Sequence, residues 1–344
     1  MKRSIFILLL VICHSLCGFS QTHTSGIELL KKTVIGGEGG WDYVSVSSED
    51  RRLYVSHNNQ VEVLNADTHE KIGVIPNTKG VHGICAIQSL GKGFITNGKA
   101  NNVTVFDIKT LQPLAQIATD EDPDALLYDP FTNRVFIFNN DAKSITVIDA
   151  LSNKVIKTFN AGGNPEAGVT DGAGTIYVNL EDANEIVVFD SKTLVIKKRF
   201  KLSPGEEPTG LAYDKQTHRL FSTCRKSQLM MVMDADDGNV VARLPIGKLT
   251  DGAIFDAQSK LVACSNGEGT ITIVKELAPD KFEVVDTIVT ARGAKTLAFD
   301  SKTEHLYTVT AQLGDTPAPT AANPKPRPAI IPGTFMLLEY GKKL

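Results

Sequence analysis

From Ile27 to the C-terminus the apolar residues gather in short runs, broken every few positions by Asp, Asn, Gly and Pro. Ile145-Thr146-Val147-Ile148 and Ile186-Val187-Val188-Phe189 are representative. They are β-branched and aromatic runs bounded by turn formers, the pattern of strands. Their hydrophobicity is nearly continuous rather than alternating, which suits strands buried on both faces. Leu229-Met230-Met231-Val232-Met233 occupies one such place. Core packing explains it; a methionine box for copper is the sharper alternative.

The runs repeat. Each unit has a Pro-acid pair, an apolar strand, a turn, a second strand, a polar turn, a third strand closed by an acid, and a fourth strand. The closing residue falls at Asn65, Asp107, Asp149, Asp190, Asp234, Lys275 and Glu339, in steps of 42, 42, 41, 44, 41 and 64. Seven units of four short strands predict an all-β fold, a seven-bladed β-propeller of four-stranded blades. After Glu339 only five residues remain, too few for a fourth strand. The missing strand is found at the other end: Leu30–Ile35 precedes Asp42 by twelve residues, as Lys154–Phe159 precedes Glu166. The N-terminal strand is therefore expected to complete the last blade and close the ring, which removes a free sheet edge.

Tyr54-Val55-Ser56-His57, Phe94-Ile95-Thr96-Asn97, Phe136-Ile137-Phe138-Asn139 and Ile176-Tyr177-Val178-Asn179 resemble the second strands of the YVTN-repeat propellers. Pro123-Asp124 and Asn164-Pro165-Glu166 resemble that family's inter-blade turn. The likeness covers residues 27–344; Cys224, Ser265, Thr310 and His57 stand where the repeat has Asn. It implies an exported binding or scaffold propeller, and some members resemble a periplasmic protein that binds single-stranded DNA. A propeller hosts many functions, so the repeat speaks to fold before function.

The first residues follow a different grammar. Lys2 and Arg3 precede an apolar run from Ile5 to Cys13, and Gly18 and Ser20 stand before Gln21. This reads as a signal peptide over residues 1–20, cleaved near Ser20/Gln21. The alternatives are a buried helix or lipidation at Cys17. One propeller domain, 21–344, would remain, in the periplasm or outside the cell and expected to act as a monomer. No later run reaches the roughly 20 apolar residues of a membrane helix. Cys85, Cys224 and Cys264 survive cleavage without C-x-x-C spacing and read as buried small hydrophobes.

Candidate chemistry collects where the inner strands begin. Those strands all run from one face, called here the top, and their opening positions are Asp42, His82, Asp124, Glu166, Thr209, Asp251 and Lys295. They converge on the mouth of the central channel, with His57 at the end of a neighbouring strand. Asp42, His82, Asp124, Glu166 and Asp251 form a candidate set for a divalent cation, the possible cofactor. Equally, acids at such turns can cap backbone N–H groups. Crowded acids repel one another unless bases or a cation offset them. His69, His218 and His305 fall in bottom-face turns and are expected to be solvated.

The last repeat is lengthened between 311 and 332 by a run rich in proline, from Pro317 to Pro332, bearing Lys325 and Arg327. Its position predicts a semi-rigid flap beside the channel mouth. The sequence contains no G-x-S-x-G, H-E-x-x-H, P-loop or C-x-x-C-H motif. The leading expectation is noncatalytic binding of a ligand or protein partner on the top face, with Arg225, Lys295, Lys325 and Arg327 as its basic residues. A metal-dependent lyase or hydrolase at the ring is one rival. Single-stranded DNA binding is the other, using Lys99, Lys143, Arg225, Lys226 and Lys295. It is opposed by Asp120, Glu121, Asp122, Glu181, Asp182, Glu206 and Glu207 on the same face.

Overall fold

A computed structural model describes residues 25–320, 323–324 and 326–343. These form seven four-stranded antiparallel sheets, each ordered as the chain runs, arranged as a seven-bladed β-propeller. The seventh sheet is the exception in sequence order. Its inner three strands are Ala298–Asp300, His305–Thr310 and Met336–Lys342, and its outer strand is Ile27–Val34 from the other end of the chain. Ile27 pairs with Lys342 and Val34 with Met336, so the ring closes as the repeat spacing requires. The predicted signal segment lies outside the described residues. Within them, no helix is long and apolar enough to cross a membrane.

The near-continuous apolar strands are explained by where the core lies. There is no single core. Seven clusters sit between adjacent blades, each drawing side chains from two of them. Phe136, Phe138 and Val147 of blade 3 meet Ile176, Val178 and Phe189 of blade 4. Blades 7 and 1 meet through Tyr307, Phe335, Leu337, Leu53 and Val55. A middle strand thus packs on both faces and needs apolar residues at every position. Met230, Met231 and Met233 are wholly buried in two such clusters. Cys224 and Cys264 are buried and Cys85 half-buried, with burial pushing all three thiols up to about 12.

The recurring Asp has a local cause. Oδ1 of Asp107 accepts the N–H groups of Lys109 and Thr110, and the N–H of Leu111 returns to the Asp107 carbonyl at 2.8 Å. Asp149, Asp190, Asp234 and Asn65 make the same turn. The fifth residue takes positive φ: His69, Leu111, Asn153, Leu194 and Gly238. The acid therefore caps the hairpin between third and fourth strands.

The structure corrects three readings. Glu339 is not the closing residue of its strand; it pairs with Tyr307, two places further in than Asp234 opposite Arg219. That place faces the core. Its carboxylate is held there by His305 Nδ1 at 2.7 Å, His69 Nε2 at 3.2 Å and the Tyr307 hydroxyl at 3.2 Å. His69 and His305 are consequently not solvated: His69 is buried and His305 half-buried, while His218 is exposed. The Asn of the second strand is also displaced in two blades. Leu180 and Asn266, rather than Asn179 and Ser265, stand opposite the inner-strand start. Asn266 donates to Thr270 and Thr272, as Asn139 does to Ser144 and Thr146 and Asn97 to Asn102 and Thr104.

Candidate functional site

Five of the ring positions sit in β-bulges. The inner-strand register slips between Val81 and Ile84, Pro123 and Leu126, Pro165 and Gly168, Pro208 and Leu211, and Thr250 and Gly252. Each slip contains a ring residue: His82, Asp124, Glu166, Thr209 or Asp251. A bulge frees that residue from the ladder and re-aims its side chain, here toward the axis. Neighbouring blades then fix the backbone. Thr96 Oγ1 donates to the Asp124 carbonyl, Asn179 Nδ2 to that of Thr209 at 2.9 Å, and Thr296 Oγ1 to that of Asp42 at 2.5 Å.

The ring residues other than Thr209 line one pit of about 430 Å³ at the channel mouth, together with Trp41, Tyr43, Lys99, Asp122, Asn140, Arg225 and Arg327. Thr209 is buried and spends its hydroxyl on the Thr250 carbonyl at 3.0 Å. Lys295 spans two acids, with Nζ 2.8 Å from Asp42 Oδ1 and 2.6 Å from Asp251 Oδ2. Arg225 holds the other Asp251 oxygen and reaches Glu181 at 3.1 Å. His82 Nδ1 donates to Asp42 Oδ2 at 2.5 Å and lies 3.3 Å from Asp124 Oδ1.

Among the described residues, two acids have no lysine or arginine within 4 Å. Glu166 accepts only the Asn140 amide, at 2.8 Å. Asp124 Oδ1 is sealed from solvent and receives no hydrogen bond.

The charge state follows from these contacts. Burial pushes the Asp42 carboxyl up, but Lys295 and His82 outweigh it and hold the group down at about 2. Burial works against the His82 imidazolium, yet Asp42 and Asp124 lift it to about 9. Burial and the neighbouring Asp42 raise Asp124 to about 7, against the opposing pull of His82 and Lys295. Burial, Asp124 and Asp251 drive Glu166 well above the carboxylate range. The ring therefore carries its own bases, which offset Asp42 and Asp251, while burial and like charge raise the proton affinity of Asp124 and Glu166.

The sequence-predicted residues divide accordingly. Asp42, His82, Asp124, Glu166, Asp251, Lys295, Arg225 and Arg327 share the pit. Arg327 arrives from the flap, whose base is pinned by a Leu313–Ile330 bridge and by Gly333 N–H on the Gly37 carbonyl at 2.9 Å. Lys325 lies outside the described residues. His57 goes elsewhere: it is buried against Phe335, ring centroids 4.4 Å apart, and contacts Glu62 at 3.2 Å. Of the five metal candidates, only Asp42, His82 and Asp124 bring ligand atoms within 4.8 Å of one another. Both Asp42 oxygens are already held, by His82 and Lys295, and the imidazole there is cationic, so the trio suits a divalent ion poorly.

Tyr43 escaped the sequence reading. It follows a ring residue, a place that is small in most blades: Gly83, Ala125, Ala167, Gly210 and Gly252. At Gly83 and Gly210 an added Cβ would meet the next blade at 2.4 and 2.6 Å. Blade 1 has Tyr43 instead, which crosses the channel to pack on the cluster of blades 3 and 4. That break in the small-residue rule is the signal that would have found it. The rim offers little to a nucleic acid. Lys143 pairs with Asp182 at 2.6 Å and Lys226 with Glu206 at 2.9 Å, and Arg225 and Lys295 are engaged in the pit.

Architecture and site together define a seven-bladed propeller with a charged pit at its channel mouth. Solved structures superpose on most or all of it. They include a chain of the Kuenenia stuttgartiensis hydrazine synthase (TM-score 0.68, 13% identity, 80% of this chain and 92% of that one). A chain of the mitotic checkpoint complex aligns over 100% of this chain and 99% of its own (TM-score 0.72, 12% identity). U3-55K aligns over 90% and 99% (TM-score 0.72, 10% identity). Such identities show the fold alone. Among curated proteins, the chain is 34% identical over 91 residues to the uncharacterized protein YncE of Salmonella typhi. It is 33% identical over 91 residues to that of Salmonella typhimurium. The match spans 26% of this chain and 26% of each relative, so it covers about a quarter of their length. No protein-family model matches.

Proposed function

We propose that this is an exported, noncatalytic propeller of the YVTN-repeat kind that holds a ligand, or a segment of a protein partner, in the pit at its channel mouth. The carrying observation is the concentration of charge there. Asp42, Glu166 and Asp251 are all more than nine-tenths buried around one cavity. Burying ionisable groups costs stability, and Thr209 shows that the fold accepts a hydroxyl residue at the same position. A costly local departure of this sort marks a site rather than a scaffold. Binding rather than catalysis follows the repeat family that the sequence resembles. His82 and Lys295 are held protonated by their acids and do not serve as bases near neutrality. Export to the periplasm or beyond rests on the residues before Gln21.

The test is a thermal-shift screen of the purified protein against small charged metabolites, run in parallel on Arg225→Leu and on Glu166→Gln, which remove a base and an acid of the pit. Stabilisation that is present in the parent and lost in either variant supports the pit. Stabilisation that survives both substitutions moves binding to another surface and defeats the proposal.

A further inference from the structure

Each acid in this pit invites the same question: what neutralises it? Asp42 has Lys295 and His82; Asp251 has Lys295 and Arg225. Just outside, Glu181 has Arg225 and Asp182 has Lys143. Glu166 is only 7% exposed and has no cationic partner within reach among the described residues; its single hydrogen bond comes from a neutral amide. Asp124, one blade away, shares His82 at 3.3 Å with an Asp42 that holds the same nitrogen at 2.5 Å, and its Oδ1 is an unpartnered buried atom. A positive charge is missing on the side of the pit formed by blades 3 and 4. Tyr43 crosses the channel to that side, and Trp41 is also in the lining.

We propose that the pit takes a compact organic monoammonium, its cationic head against Asp124 and Glu166 beside the ring of Tyr43, with Trp41 further round the same lining. This rests on the reading of the channel mouth as the binding site and names the chemistry of its ligand. A cationic head in the pit would offset Glu166 and Asp124, through charge-assisted hydrogen bonds where it carries N–H groups and through its charge alone where it is quaternary. Aromatic faces attract such a head further. A bare metal ion fits less well, because the cavity of about 430 Å³ exceeds what one ion fills and because two of its walls are aromatic. The rim selects as well. Lys99 and Arg327 are exposed there without an acidic partner among the described residues, so a second ammonium on the ligand would be repelled.

Trp41 is the only tryptophan in the chain, which gives the site its own reporter. Full-length mature protein is titrated with ethanolamine, choline and putrescine, and separately with acetate, phosphate and calcium, following tryptophan emission. The expected result is a saturable change with ethanolamine or choline, weaker with putrescine. Affinity should fall about tenfold or more in Asp124→Asn and in Glu166→Gln, the usual scale for losing one charge-assisted contact. Cooperative melting of both variants at or above the parent's temperature shows that they fold. A response to acetate or phosphate alone overturns the ammonium assignment while leaving the pit as a binding site. A response to calcium alone does the same in favour of a metal. If no organic cation responds and the metabolite screen is silent too, the assignment and the reading beneath it both fall.

Discussion

Replacing Asp124 with Asn should stabilise the free protein in a pH-dependent way. In the folded chain this carboxyl titrates at about 7 rather than its ordinary 3.8, because it is buried beside Asp42. A folded-state value above the unfolded one means that the native protein holds the proton more tightly. Stability from this group is then fully present below about pH 4 and is lost as pH rises through 7. The difference corresponds to about 4 kcal/mol at most, at roughly 1.4 kcal/mol per tenfold change in proton affinity. Asp42, His82 and Asp124 titrate together, so about half of that, roughly 2 kcal/mol, is a fair share for Asp124 itself. Asn keeps the shape and never ionises. Urea unfolding of parent and variant should therefore give equal stabilities below about pH 4. At pH 8 the variant should lead by about 2 kcal/mol, or about 3 °C in melting temperature for a chain of this size. A variant destabilised equally at both pH values would refute the reasoning, since it would mean that an ionised Asp124 is already neutralised from within.

Lys295→Met removes the bridge between Asp42 and Asp251 and should cost about 1–3 kcal/mol in chemical denaturation, the lysine being part-exposed and so screened. No loss would mean that Arg225 and His82 suffice. Deleting residues 27–36 strips the outer strand from blade 7 and uncovers Leu338 and Tyr340. A loss of about 3 kcal/mol or more is expected, and unchanged melting would deny that ring closure matters. Protein recovered from its native host should begin near Gln21; an intact Met1 by mass spectrometry would contradict export.

The propeller was legible because two local signals repeat without tertiary context. The Asp or Asn that caps the outer hairpin of the first five blades appears in the sequence as a metronome, and the doubly buried strands appear as largely apolar runs. The ring residues were legible for the same reason, as one position read seven times. What failed was whatever depends on contact between blades. Glu339 matched the acid in the pattern, yet its carboxylate is in the core because His69 of blade 1 and His305 and Tyr307 of the adjoining strand meet it there. His57 shares a face with the ring but turns onto Phe335, whose position depends on the flap insertion. The pairing of Lys295 with Asp42 crosses 253 residues. Spacing within a repeat carries no record of such distances, so the sequence placed acids and bases at one mouth without saying which would pair.

The most direct measurement is a crystal structure of the mature protein purified from its native host without chelators or ligand stripping. The account predicts density in the channel-mouth pit, touching Asp124 and Glu166. Ordered water alone in that pit, with a ligand or partner bound on a different surface, would contradict it.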